Sequence, residues 1–190
     1  CSSSRWGRLA VAVFILLAFV GLLRISEGLV PRGGDVVFAA DALVLLLRRT
    51  KTAAAESHRA VVHNPRVVAF VRSFASLAGV PAQGLFLPCS YSTVRTWLRR
   101  AQALLAFPSS TFRTHSCRRG GATALSLRGF SLSHIMDQGR WASERKCRMY
   151  VRRGEVALTR IRAGLSHEQW DVILKVGRIG EHIFALEIVP

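Results

Sequence analysis

Leu9 to Leu23, LAVAVFILLAFVGLL, contains no charged side chain. A run like this must leave water, so it is either a membrane span or the centre of a folded domain. At about 1.5 Å per residue a helix over the run reaches only about 22 Å, short of a hydrocarbon core roughly 30 Å thick. Arg5 and Arg8 precede it in the manner of a signal peptide, but no small-residue cleavage site is evident and Arg24 ends it. The run is therefore expected as a buried core helix, around which the rest of the chain must build walls.

With 190 residues, half of them apolar, the chain is long enough for one domain with its own core. A Pro/Gly turn, VPRGGD, follows the apolar helix. Val36–Ala39, Ala42–Arg48 and Arg59–His63 read as three short strands, with TKTAAAESH as the hairpin between the second and third. From Asn64-Pro65 the pattern turns helical, and VVAFVRSFASLAG keeps helical spacing to Gly79. After a loop to Pro88, Ser90 or Ser92 caps a basic helix, STVRTWLRRAQALLA. Further helices are expected around His115 and over Leu132–Gln138, Ser143–Val151, Glu155–Ala163 and His167–Val176. The expected class is α+β: a mostly helical domain with a small three-stranded antiparallel sheet.

Lys and Arg total 27 against 11 Asp and Glu, a net charge of +16 that is nearly all arginine. Such a field favours a polyanionic partner, double-stranded DNA first, over the alternative of an anionic membrane surface. The four cysteines form no CxxC pair, and the histidines show no ligand spacing, so neither a metal framework nor an oxidising compartment is implied. Arg95, Arg99, Arg100 and Arg113 could line a phosphate-contacting surface, although any one of them could equally belong to a plain solvated face.

The densest cluster of reactive side chains lies in Thr114–Tyr150, THSCRRGGATALSLRGFSLSHIMDQGRWASERKCRMY. His115 and Arg118, three apart on a helix, share a face and can meet one anionic group. Trp141 follows a Gly-Arg turn, and Tyr150 trails it by one short helix. Breaking a DNA phosphodiester without a metal needs a nucleophile, cations on the non-bridging oxygens and a proton for the departing 5′ oxygen. Arginine forks grip phosphate oxygens and stay charged, tyrosine can hold the phosphoryl group covalently, and lysine can donate the proton.

This arrangement resembles the catalytic end of the tyrosine recombinase (phage integrase) family, and the wording HSCRRGGATAL…GRW is most similar to the branch carried by eukaryotic mobile elements. The resemblance runs from about Trp6 to Val156 and implies the family's catalytic fold. It also implies roles. Arg24 in GLLRISE matches the first catalytic arginine, and Glu27 the acidic residue that steadies the site. Lys51 matches the general-acid lysine of the hairpin, and His115 with Arg118 the HxxR pair. Trp141 stands where most members carry a second His, and Tyr150 at the nucleophile. Trp141 can donate one hydrogen bond or pack against the nucleophile's helix.

The resemblance further implies strand cleavage and rejoining through a 3′-phosphotyrosine, with no cofactor and no metal, by dimers or tetramers assembled on DNA. The compartment is not indicated, beyond the nucleus if the source is eukaryotic. Residues 1–159 are expected to form the catalytic domain and 160–190 a tail that docks in cis or on a neighbouring protomer. The N-terminal core-binding domain that members carry is expected to be missing. A type IB topoisomerase shares the chemistry but usually has a long linker before its tyrosine. A non-catalytic DNA-binding remnant of a mobile element is the alternative from another class.

Overall fold

The computed structural model describes residues 5–47, 58–108 and 111–185. The apolar run forms helix α1 (Arg5–Val20), whose Ala10, Val13, Phe14, Leu17 and Ala18 are fully enclosed at helical spacing. No helix among the described residues is long and apolar enough to cross a membrane. A left-handed turn at Leu22 (φ 48°) ends α1 and leads into the one-turn helix α2 (Ile25–Leu29).

Strands β1 (Val36–Phe38), β2 (Leu43–Leu47) and β3 (His58–Val62) form an antiparallel sheet in the order β1-β2-β3, with Val37 opposite Val44 and Leu45 opposite Ala60. Alternation decides which face is covered: Leu43, Leu45 and Leu47 are buried, while Val44 and Leu46 are half-buried. The expected hairpin between β2 and β3 lies mostly outside the described residues.

Asn64 caps helix α3 (Pro65–Leu77) by accepting the Val67 N–H at 3.1 Å, with Pro65 at the first position. Ser90 caps helix α4 (Tyr91–Leu104). Helices α5 (Thr114–Leu127), α6 (Leu132–Gly139), α7 (Glu144–Gly164) and α8 (His167–Ala185) follow.

Two expectations change. Ser143–Val151 and Glu155–Ala163 are one continuous helix, because Gly154 does not break it. Gly154 is where α7 presses on α5: a Cβ there would stand 1.8 Å from Thr123 Oγ1. Helix α8 also extends beyond Val176, to Ala185. It contacts α3, and Gln169 Nε2 donates to the Leu105 and Ala106 carbonyls at 3.1 and 3.2 Å.

Glycine decides one more crossing. A Cβ on Gly121 would meet the Phe19 carbonyl oxygen at 2.0 Å, so only glycine lets α5 lie this close to the end of α1. That contact brings Arg118, one turn earlier on α5, against the Leu22 turn.

Candidate active site

Glu27 is the hub of a buried polar cluster. Its sequence position, three residues after Arg24, lets the carboxylate cap α2: Oε2 accepts the Arg24 backbone N–H at 2.7 Å, and Oε1 accepts from the Arg24 guanidinium. Arg140 Nη2 reaches the same Oε2 at 2.9 Å and Arg118 Nη1 approaches it at 3.5 Å. Burial alone would raise the Glu27 carboxyl, but Arg140, the Arg24 amide and the Arg24 guanidinium outweigh it and hold the group below its ordinary value. One buried carboxylate thus gathers three arginines.

Arg118 is the largest fully enclosed side chain among the described residues, 1% exposed. Its guanidinium donates to the carbonyl oxygens of Leu22 and Gly139 and lies 4.4 Å from the ring centroid of Trp141. Burial, aided by the neighbouring Arg24 charge, pushes Arg118 down to about 10, so it stays cationic at neutral pH. Arg24 is the more open of the two, with a third of its side chain exposed. Trp141 in turn packs on Tyr150, ring centroids 5.2 Å apart at 54°. Tyr150 is half-buried on α7, and its position is electrostatically felt at Arg118. Arg24, Glu27, Arg118, Trp141 and Tyr150, from four separate stretches of chain, therefore form one continuous cluster.

The same architecture occurs in solved structures. XerH site-specific recombinase bound to difH substrate, in a pre-cleavage complex, superposes with TM-score 0.62 at 16% identity, over 77% of this chain and 44% of that one. Its post-cleavage complex with a palindromic difH substrate gives 0.65 at 14% identity, over 85% and 47%. XerA recombinase gives 0.55 at 15% identity, over 93% and 64%. This is the tyrosine recombinase catalytic fold. The chain spans about half the length of the XerH chains and somewhat more of XerA. No protein-family model and no curated protein matches the sequence.

Within the tyrosine recombinase fold the other expected residues lie apart from the cluster or beyond view. His115 sits one turn before Arg118 on α5 but is exposed where Arg118 is buried. Lys51 lies outside the described residues. Arg95, Arg99 and Arg113 line one cleft of about 740 Å³ together with Tyr91 and Thr114, at the N-terminus of α5. Arg95 lies over the Tyr91 ring at 5.6 Å. Arg100 is not among that cleft's lining residues and packs its guanidinium on Trp97 at 5.0 Å. Burial pushes Cys117 and Cys89 up to about 11, so both thiols stay protonated and neither competes as a nucleophile. Among the described residues no group of His, Cys, Asp or Glu is placed to hold a metal ion.

Sequence reasoning passed over Arg140, treating Gly139-Arg140 only as a turn before Trp141. The turn is special. Arg140 adopts the left-handed conformation (φ 54°, ψ 45°) that ends α6, and the Trp141 N–H bonds back to the Met136 carbonyl at 3.0 Å. Glycine or asparagine would be the ordinary choice there, and an arginine in their place was the available signal.

Proposed function

We propose that this chain breaks and rejoins DNA strands as a site-specific recombinase, through a covalent link between Tyr150 and a 3′ phosphate. The observation that carries the reading is the continuous cluster from Arg24 through Glu27, Arg118 and Trp141 to Tyr150, in the fold of recombinases whose solved complexes hold DNA. Tyr150 Oη attacks phosphorus, the new P–O bond forms, and the bond to the 5′ oxygen breaks. The tyrosine proton leaves to solvent, and Lys51 supplies the proton that the 5′ oxygen takes. Arg24 meets the non-bridging oxygens, where negative charge grows in the transition state and a fixed cation acts most strongly. Arg118 joins it once its guanidinium turns from the Leu22 and Gly139 carbonyls. The cleft of Arg95, Arg99 and Arg113 carries the adjoining DNA backbone, with their charge and the α5 N-terminus facing the phosphates.

One observation favours a second reading. Arg118 is wholly enclosed, as it would stay in a remnant that binds DNA but no longer cuts it. A single experiment separates the two. The protein is incubated with a nicked duplex library of randomised sequence, denatured, and any DNA that remains attached is recovered and sequenced. Recombinase chemistry yields protein-linked DNA that is lost in Tyr150→Phe, while retardation of duplex on a native gel persists. Retardation with no protein-linked DNA in the wild type supports the remnant instead.

A further inference from the structure

Nothing in the chemistry above uses Arg140, although its side chain is only 10% exposed. Its guanidinium ties together two turns that the chain brings from far apart. Nη1 donates to the Gly21 carbonyl at 3.2 Å and to the Gln138 carbonyl at 2.8 Å. Nη2 donates to the Leu22 carbonyl at 3.1 Å and to Glu27 Oε2 at 2.9 Å. Both turns are left-handed, at Leu22 and at Arg140 itself, and Arg118 bridges the same pair through the Leu22 and Gly139 carbonyls. The Nε–H is buried without a hydrogen-bond partner among the described residues. An arginine kept at the cost of one unsatisfied donor, in a backbone conformation it does not favour, points to a task beyond filling space.

We propose that Arg140 is a positioning residue for Arg24: it anchors the Glu27 carboxylate and the Gly21–Leu22 turn, and so fixes the end of α2 from which Arg24 reaches the phosphate. This rests on the reading that Arg24 contacts the scissile phosphate. Among the described residues the charged groups that reach Glu27 are Arg24 at the α2 N-terminus, Arg118 from α5 and Arg140 from the end of α6, while Arg32 and Asp35 line one cavity with it. Tyr150 and Cys147 on α7 couple to it indirectly through Arg118. The Arg140 charge is the largest single effect that holds Glu27 ionised against burial, and Arg24 adds its amide, its side-chain hydrogen bond and its charge.

The test compares wild type, E27Q, R140M and the E27Q/R140M double variant by thermal unfolding across a pH series. A carboxyl held below its ordinary value stabilises the fold fully above that value, and the stabilisation is lost as pH falls from there through the lowered one. The Tm difference between wild type and E27Q should therefore grow with rising pH in the range around pH ~4. Between R140M and the double variant that growth should vanish or reverse. Where it reverses, the Tm difference should shrink with rising pH over about 1–3 units above pH ~4, because burial then outweighs the remaining partners of Glu27.

Protein-linked DNA on the nicked library gives the functional readout. R140M should lose rate most at the acid end. R140K should restore the acid limb but not the full rate, since one ammonium cannot span three carbonyls and Glu27. An identical Glu27-dependent Tm profile in both backgrounds overturns the proposal, as does an R140M rate lowered equally at every pH. If R140M alone does not fold, the double variant decides. Recovery of folding supports the proposal, because the stranded carboxylate was the defect, and continued failure overturns it. If wild type forms no protein-linked DNA, the recombinase reading fails separately, and the link from Arg140 to Glu27 is judged from unfolding alone.

Discussion

The two apolar clusters among the described residues are held together on different terms. The larger packs α1, the sheet and α3 through Phe14, Leu17, Leu43, Leu45 and Val71, and owes its stability to area removed from water. The smaller gathers Leu22, Ala122, Ile135, Trp141, Cys147 and Val151 where α5, α6 and α7 meet, and it is built against a guanidinium, since Trp141 lies on Arg118. Burial without charge gives the first region a stability indifferent to pH. The second depends on one buried carboxylate and three arginines, two of them also buried, staying ionised, which is expensive unless the partners are present. The contrast matches a scaffold and a site: the larger cluster can be rigid at no chemical cost, whereas the smaller keeps cations concentrated where a phosphate could draw them out.

The largest effect on stability should come from the scaffold. Phe14→Ala removes a fully buried ring from the centre of the larger cluster and should cost about 3–5 kcal/mol. Urea unfolding at acidic and neutral pH should give the same loss at both. A loss that varied with pH would erase the distinction between the two regions.

Arg24→Ala should act on the site and spare the scaffold. With a third of its side chain exposed, Arg24 contributes little to packing, so Tm should fall only by what Glu27 loses with one of its three arginine partners. The rate of forming protein-linked DNA should fall by about 10²–10³, the cost of removing one transition-state donor. Activity within a few-fold of wild type would mean that Arg24 never touches the phosphate.

The smallest effect is expected at the cleft. Arg99→Ala should weaken duplex binding almost equally for unrelated sequences and reduce the slope of log K against log salt by about 1. Fluorescence titration over a salt series measures it. An unchanged slope would make Arg99 a solvated surface residue.

Most of the scaffold was legible in the sequence, and the reasons are local. The uncharged run of α1, the alternation in β2 and the caps at Asn64 and Ser90 each carry their own signal. Continuity through Gly154 was not legible, because the contact that fixes it lies on α5. The matched residues were legible as a motif, but their burial was not. Nothing about the spacing of His115 and Arg118 tells that one faces solvent and the other is enclosed, since that follows from how closely Gly121 lets α5 approach α1. Arg140 escaped for a related reason: its partners at Gly21, Leu22 and Glu27 are far away in sequence.

Chemistry by the small cluster requires Tyr150 as the nucleophile, and the sequence offers a built-in control because it contains only two tyrosines. Tyr91 lines the arginine cleft and is half exposed, so it also stands beside a region suited to phosphate. Protein-linked DNA from the nicked library, digested with protease and nuclease and read by tandem mass spectrometry, locates the attached nucleotide. The expected product is a 3′-phosphoryl nucleotide on the α7 peptide, carried by Tyr150. A nucleotide on Tyr91, or linkage through any residue other than tyrosine, would contradict it.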